Sequence, residues 1–242
     1  MNTRIVTMLA IVLGIAAFPS VAMAQLVVDD FSTGFYAKTL KSGNDNNFQS
    51  GTMVGDSRET SFVACSPTSA CKAVNPFLQP NSFAIQTKTK ISPNALVFNA
   101  GYKSQAYLAV GYGFSTPLDL NLAATYDRLR VNFDGADKFV NFNLTVWSTG
   151  GSLYSQLGCN LVDPGNGTSF SVDFPFTDFV PGSGTPGADF SDVTQMQFEF
   201  AGAEGPPGGE DFAVTSFQAI PIGAPAGDVT CTGSRSPLRQ GK

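Results

Sequence analysis

A strict alternation of apolar and polar side chains between residues 127 and 147 constrains the fold of this chain most. Leu129, Val131 and Phe133 alternate with polar residues, and the run from Phe139 to Trp147 alternates in the same way. Because successive side chains of a β-strand point to opposite faces, each run predicts a strand with one buried face and one polar face.

Residues 135–138 join the two runs, and a four-residue connection fits a β-hairpin. Pairing Phe133 with Val140 puts the apolar side chains of both strands on one face, whereas a slip of one residue would mix apolar and polar side chains on both faces. The opposite, polar face of this predicted hairpin carries Tyr126, Arg128, Arg130, Asn132, Asn141, Asn143, Thr145 and Trp147. A later alternating run, 193–200, would add Gln195, Gln197 and Glu199 if it lies in the same sheet.

The rest of the chain also has the pattern of an all-β protein. Short strand candidates recur between Gly and Pro clusters, and no window has sustained apolar spacing at 3.6 residues, so no long helix is expected after the leader. Residues 32–60 are rich in Gly, Ser, Asn and Asp and predict turns or a long loop. The strand candidates are 26–31, 82–87, 95–100, 105–112, 127–134, 138–147, 152–158, 168–174, 193–200 and 211–219. This spacing predicts an antiparallel β-sandwich of the jelly-roll type.

The N-terminus has the features of an export signal. Residues 1–24 combine a positive start, an apolar run over 5–17 and a small-x-small cleavage pattern at 22–24. The apolar run is shorter than the ~20 residues that a membrane span needs, and no second run of spanning length follows. We therefore expect an extracellular or periplasmic protein with a sandwich domain at 25–221, a C-terminal tail at 222–242 and no membrane span.

Histidine is absent from the 242 residues, and acidic residues outnumber basic ones, 19 to 14. Without histidine the chain has no Ser-His-Asp or Cys-His catalytic pair and no histidine-ligated metal site. The net charge of −5 argues against nucleic acid as a partner, since that affinity comes mostly from Lys and Arg contacts to phosphate. No phosphate loop or dinucleotide fingerprint occurs.

Four cysteines, Cys65, Cys71, Cys159 and Cys231, are an even number in an exported chain, which favours disulfides. Three pairings are possible. We favour Cys65–Cys71, which closes a short loop, together with Cys159–Cys231, which would attach the tail to the sandwich. A zinc site of four thiolates is the alternative, although the chain lacks paired Cys-x2-Cys units.

The polar face predicted above has the chemistry of a sugar-binding surface. Amides and arginines offer paired donors and acceptors to vicinal hydroxyls, and tyrosine and tryptophan offer flat apolar faces to the C–H side of a sugar ring. The alternative is an ordinary solvated face of an antiparallel sheet. Asn is normally depleted in strands, and the single tryptophan lies on this face, so the surface is our candidate for glycan binding.

The chain resembles secreted bacterial jelly-roll domains of the carbohydrate-binding-module and galactose-binding-like type. The resemblance covers roughly 25–220 and is carried by Asp29-Asp30-Phe31, the alternating run at 127–147, and Glu210-Asp211-Phe212-Ala213-Val214. It implies that the first and last strands lie together and hold a structural calcium, with Asp30 and Asp211 as ligands. The alternative is that these two residues simply end and begin strands. No other cofactor is expected.

Catalysis without histidine is also open to this chain, because two carboxylates suffice for glycoside hydrolysis. Glu199 is the best candidate for the acid, with Asp134 or Glu204 as its partner. A polysaccharide lyase would use Tyr126 as base, with Arg128 or Arg130 neutralising a uronate. The leading hypothesis remains a secreted, non-catalytic glycan-binding or cell-surface protein whose partner is a polysaccharide or a cell-surface glycan. The alternatives are a polysaccharide hydrolase or lyase acting on the same face, and a structural envelope or matrix protein.

Overall fold

The computed structural model of the chain describes residues 24–64, 81–86, 94–101, 106–136, 139–162, 168–201 and 211–231. Strands dominate these residues, and the helical segments among them are two three-residue 3-10 turns. The strands are β1 (Leu26–Asp29), β2 (Tyr36–Leu40), β3 (Gly43–Ser50), β4 (Ser57–Ala64), β5 (Asn81–Gln86), β6 (Ala95–Asn99), β7 (Ala106–Tyr112), β8 (Tyr126–Ala136), β9 (Phe139–Ser148), β10 (Leu153–Val162), β11 (Phe170–Pro175), β12 (Val180–Pro181), β13 (Val193–Ala201), β14 (Asp211–Pro221) and β15 (Val229–Thr230).

The described strands form two sheets that pack face to face. Sheet A has the order β15-β11-β8-β14-β6-β5-β2, with β1 also pairing with β14, and sheet B has the order β12-β10-β9-β13-β7-β4-β3. Neighbouring strands are antiparallel except for the parallel pair of β11 and β15. The predicted all-β, antiparallel jelly-roll sandwich is confirmed.

The predicted hairpin of β8 and β9 is wrong. β8 pairs with β11 and β14 in sheet A, and β9 pairs with β10 and β13 in sheet B. The alternation nevertheless identified the inward-facing side chains of the two strands correctly, because their apolar faces meet across the interior. The rings of Phe133 on β8 and Phe142 on β9 lie 5.8 Å apart between the sheets. The chain therefore crosses from one sheet to the other after β8, and the two polar faces point to opposite sides of the molecule.

Phenylalanine fills the space between the sheets. Phe198 of sheet B meets Phe217 of sheet A at 5.4 Å, and Phe200 of sheet B meets Phe212 of sheet A at 4.5 Å. Such aromatic pairs add about 0.5–1.5 kcal/mol each to the stabilisation from area burial alone. The inner layer explains why phenylalanine is so frequent in the sequence.

Residues 32–60, predicted as turns or a long loop, contain β2 and β3 and the start of β4. β3 is rich in Asn and Asp, residues that are depleted in strands, and it forms the edge of sheet B. Its eight residues pair in unbroken antiparallel register with β4, from Gly43 opposite Ala64 to Ser50 opposite Ser57. Pairing with the more apolar β4 thus overrides the weak local propensity of β3.

The predicted disulfide between Cys159 and Cys231 is confirmed. Cys159 lies on β10 in sheet B, and Cys231 follows β15 at the edge of sheet A, so the bond joins the two sheets. Residues 222–231, predicted as the start of a tail, run along sheet A and contribute β15. Cys65 and Cys71 lie outside the described residues, as do most of the predicted signal peptide and residues 232–242.

None of the helices in the described part of the chain combines the length and the apolar character that crossing a bilayer requires.

Candidate functional site

The outer face of sheet B brings together one part of the predicted polar surface. Antiparallel register places Trp147 opposite Gln195, Thr145 opposite Gln197, and Asn143 opposite Glu199. Asn141 lies on the same face of β9, opposite Ala201. The condition set by the sequence holds for β9, because the strand at 193–200 lies in the same sheet as the strand at 139–147 and continues its polar face.

Tyr126, Arg128, Arg130 and Asn132 lie on β8 in sheet A, so they do not share a surface with the residues of β9. The prediction of one continuous surface is wrong because it depended on the hairpin. Asp134 also belongs to β8, so it does not face Glu199, and Glu204 lies outside the described residues.

The two arginines of β8 hold a C-terminal segment rather than an open surface. Arg130 makes two hydrogen bonds to the Asp173 carboxylate, at 2.5 and 2.9 Å, and the Nε of Arg128 lies 3.0 Å from the same carboxylate. Both guanidinium groups also donate to the carbonyl oxygen of Pro225. We call residues 222–231 the strap, because these contacts hold them across sheet A.

Glu199, the predicted catalytic acid, is buried and accepts hydrogen bonds on both of its oxygens. The hydroxyl of Tyr107 and the amide of Gln197 donate to Oε1, and the amide of Asn143 donates to Oε2 at 3.3 Å. Burial, and then the neighbouring Glu199 carboxylate, raise the pKa of Tyr107 well above its usual value, so this phenol stays protonated and donates. This arrangement ties β7, β9 and β13 together on their outer sides.

Asn143 and Thr145, both predicted to contact a ligand, are buried on the same outer face. The Asn143 amide donates to the Thr145 hydroxyl at 3.2 Å as well as to Glu199. Their side-chain hydrogen bonds lie within the sheet. Of the ten predicted ligand-binding residues, only Gln197 lines the groove described next.

An open groove of about 520 Å³ lies on sheet B between β3 and β13. Its floor is β7, where the outward positions are the small residues Ala109 and Gly111. Taller side chains surround this floor, so the groove follows from a difference in side-chain size along one strand. The lining residues are Asn46, Asn47, Phe48, Glu59, Thr60, Ser61, Ala109, Gly111, Phe114, Ser115 and Gln197.

Two exposed aromatic rings belong to the groove. Phe48 on β3 is 51% exposed, and Phe114, just after β7, is 38% exposed. Phe114 folds back over Gly111, since a Cβ on that glycine would lie only 2.7 Å from the ring. Gly113 makes the turn with a φ of +84°, at a position where a Cβ would collide with the Thr194 carbonyl oxygen.

Trp147, the predicted aromatic end of the sugar surface, supports this ring from the side. Its indole meets Phe114 edge to face with the centroids 5.4 Å apart. Trp147 does not line the groove itself. It fixes the position of a ring that does.

Glu59 lies between the two aromatic rings. It is directly opposite Phe48 on β3 and directly opposite Gly111, the residue under Phe114, on β7. The hydroxyl of Ser115 donates to its Oε1 at 2.5 Å. The groove therefore holds a partly exposed carboxylate with a ring on either side.

A buried ion pair anchors the β3–β4 wall of the groove from inside the sandwich. Arg58 of β4 is fully buried and donates to the Asp29 carboxylate and to the Thr33 and Gly34 carbonyl oxygens. Its Nε donates at 3.1 Å to Gln49 of β3.

The polar cluster around this ion pair extends to further elements. Tyr112 of β7 donates to Asp29 at 2.9 Å, and the backbone N–H of Phe31 donates to Asp29 at 2.7 Å. The Gln49 amide donates to Thr60 of β4 at 2.9 Å. This cluster links β1, β3, β4 and β7 behind the groove.

The two predicted calcium ligands are not brought together. Asp29, the last residue of β1, is opposite Phe217, while Asp211 begins the same partner strand six residues away. At about 3.3 Å per residue, Asp30 lies on the order of 15 Å from Asp211, too far to share an ion. Asp30 instead accepts a hydrogen bond from the backbone N–H of Ser32. The described residues contain no group of three or more carboxylate or cysteine side chains that could hold a metal ion.

Sequence reasoning missed Phe48, Glu59 and Phe114, the residues that give the groove its character. Glu59 and Phe48 fall in the segment interpreted as a loop. A usable signal was present in β4, where Arg58, Thr60 and Phe62 alternate with Glu59, Ser61 and Val63.

No protein-family model matches the sequence, and no curated protein is detectably similar to it. Among solved structures, the chain is similar to a family 11 carbohydrate-binding module from Clostridium thermocellum in complex with a β-1,3-1,4-mixed-linked tetrasaccharide, with 11% identity over 83% of this chain and 97% of that chain and a TM-score of 0.38. It is similar to the family 11 module of the cellulase Lic26A-Cel5E of the same organism, with 11% identity over 83% and 96% of the two chains and a TM-score of 0.39. An agarase matches at 10% identity over 63% of this chain and 23% of its own, with a TM-score of 0.37.

Proposed function

We propose that the outer face of sheet B binds a glycan, with the groove between β3 and β13 as the site. The observation that carries the proposal is the groove itself, in which two exposed rings, Phe48 and Phe114, flank polar side chains above a floor of small residues. Its volume lies within the roughly 300–1,000 Å³ range of ligand sites.

The residue types suit sugar chemistry. Aromatic faces cover the C–H side of a sugar ring, and side-chain amides, hydroxyls and carboxylates bond to its hydroxyl groups. Asn46, Ser61 and Gln197 supply such groups around the floor of the groove. An open groove on a sheet face also leaves room for a chain to continue beyond the contacted units.

The site binds its glycan without cleaving it. Hydrolysis needs a second carboxyl group placed to exchange a proton with the glycosidic oxygen or with water. Glu199 is only 4% exposed, and both of its oxygens already accept hydrogen bonds from the sheet. Among the described residues that line the groove, Glu59 is the one carboxylate.

The protein acts outside the cytoplasm. The sequence of residues 1–24 has the pattern of an export signal, and the Cys159–Cys231 disulfide suits an oxidising compartment. Polysaccharides of a cell surface or matrix are the ligands available there.

Binding is tested with the exported chain on a panel of immobilised polysaccharides. Phe48→Ala and Phe114→Ala should each weaken retention about tenfold, because stacking faces are lost. Phe35→Ala is the matched control, since Phe35 is as exposed as Phe48 but does not line the groove. Equal retention of all three variants would refute the site, and release of reducing ends or unsaturated uronates would refute the non-catalytic role. Failure to retain any polysaccharide would favour a structural envelope role.

A further inference from the structure

The row of side chains that crosses β3, β4 and β7 has a distinct composition. Phe48 and Glu59 are direct cross-strand neighbours, which places their Cβ atoms about 4.5–5.5 Å apart. On the other side, Glu59 is opposite Gly111, and the Phe114 ring occupies the space above that glycine. The carboxylate of Glu59 therefore lies between two aromatic rings in one open groove.

Two described cations, Arg58 and Lys38, are paired with other carboxylates. Arg58, its chain neighbour, points into the sandwich and is paired with Asp29. Lys38 is paired with Asp45 at 2.8 Å. Ser115, the hydrogen-bond partner of Glu59, is neutral, so the negative charge of Glu59 acts toward the groove.

We propose that the ligand of the groove carries a protonated amine and is an unacetylated amino-sugar glycan. The proposal rests on the proposed function and specifies its ligand class. An ammonium group at this position pairs with the Glu59 carboxylate and lies against the negative faces of the rings of Phe48 and Phe114. A neutral sugar can donate a hydroxyl hydrogen bond to Glu59, but it removes the carboxylate from water without supplying a positive charge. Burying an unpaired charge in this way costs free energy.

Three β-1,4-linked hexamers with the same backbone test this inference: the glucosamine hexamer, its fully N-acetylated form and the glucose hexamer. Calorimetric titration of the exported chain at mildly acidic pH should show the glucosamine hexamer binding about tenfold or more tighter than either neutral hexamer. The preference should decline with added salt and as the pH rises through the pKa of the sugar amine.

Glu59→Gln should remove the preference while leaving weak binding of the neutral hexamers. Asp127→Asn is the matched control, because it removes the same charge from a partly exposed site on β8 in sheet A. Phe48→Leu keeps an apolar side chain but removes the ring face, and it should lower the affinity for the glucosamine hexamer more than that for the glucose hexamer. Thermal melting of each variant checks that the fold is retained.

Neutral hexamers that bind as tightly as the glucosamine hexamer would overturn this inference and leave glycan binding intact. A preference that survives Glu59→Gln would also overturn it. If methylammonium at matched ionic strength displaced the hexamer as well as free glucosamine does, the site would recognise the amine alone and the amino-sugar class would be wrong. If these hexamers and the polysaccharide panel all fail to bind, the proposed function fails as well.

Discussion

Replacing Arg58 by methionine tests the buried ion pair that anchors the β3–β4 wall of the groove. The guanidinium group is fully buried and donates hydrogen bonds to the Asp29 carboxylate, the Gln49 side chain and two backbone carbonyl oxygens. Methionine fills part of the volume but leaves the Asp29 carboxyl group, whose pKa is raised by burial, without its cation. We expect a loss of about 3–5 kcal/mol in the free energy of unfolding. For a domain of this size the loss corresponds to a Tm lower by roughly 10–15 °C.

A second substitution separates the charge effect from lost packing. In Asp29→Asn/Arg58→Met, the one side-chain oxygen of asparagine can still accept from the Phe31 N–H, and its amide can donate to the Tyr112 hydroxyl oxygen, but the side chain carries no charge. The double variant should therefore be more stable than the sum of the two single losses predicts, by about 1–3 kcal/mol. Urea unfolding followed by circular dichroism, with the disulfide intact, measures all three free energies.

The exposed ion pair of Lys38 and Asp45 is the control for this measurement. The Lys38 side chain is 36% exposed, so solvent screens the pair and Lys38→Met should change the unfolding free energy little. If Arg58→Met were as mild as Lys38→Met, or if the two core losses were additive, the buried pair would not be the anchor that we describe.

Three further predictions follow from the strap, the disulfide and the groove floor. Replacing Cys159 and Cys231 by alanine should lower the free energy of unfolding by about 4 kcal/mol, because the bond closes a loop of 72 residues; denaturant titration measures this, and a loss below about 1 kcal/mol would contradict it. Two hydrogen bonds from Ser171 lower the pKa of Asp228 in the folded protein. The ionised carboxylate therefore stabilises the fold at pH values above its unfolded pKa near 3.9, and this stabilisation is lost as the pH falls through the folded pKa. The difference in Tm between wild type and Asp228→Asn should shrink below about pH 4 in melts at stepped pH, and a constant difference would exclude this role. Gly111→Ala should displace the Phe114 ring and weaken glycan retention about tenfold with little change in Tm, and unchanged retention would show that the ring position does not matter.

The sequence predicted burial better than it predicted strand pairing. Alternation placed Leu129, Val131, Phe142 and Leu144 in the interior, and all four are buried. It could not say whether the two strands lie side by side or face each other across the sandwich, because both arrangements bury the same side chains. A short connection favours the hairpin locally, but the chain crosses to the other sheet after β8, so β8 lies between β11 and β14 while β9 lies between β10 and β13.

The edge strand β3 could not be predicted from its own residues. Asn44, Asp45, Asn46 and Asn47 have the composition of a turn. What holds them in a strand lies outside the segment itself, namely the pairing with β4 and the bond from Arg58 to Gln49. Since half of the groove lies on β3 and β4, the candidate site was only partly predictable, and Gln197 is the one predicted ligand-binding residue that lines it.

The contrast between the two outer faces explains why the groove forms on sheet B. On sheet A the arginines of β8 are paired with Asp173 and donate to carbonyl oxygens of the strap, so their guanidinium groups are engaged within the protein. On sheet B the interior strand β7, which lies between β13 and β4, presents Ala109 and Gly111 outward, and neither side chain can reach a neighbour. Polar and aromatic side chains on both sides of β7 are therefore left facing open space. A ligand that carries both hydroxyl groups and apolar ring faces therefore has the chemistry to bind this surface.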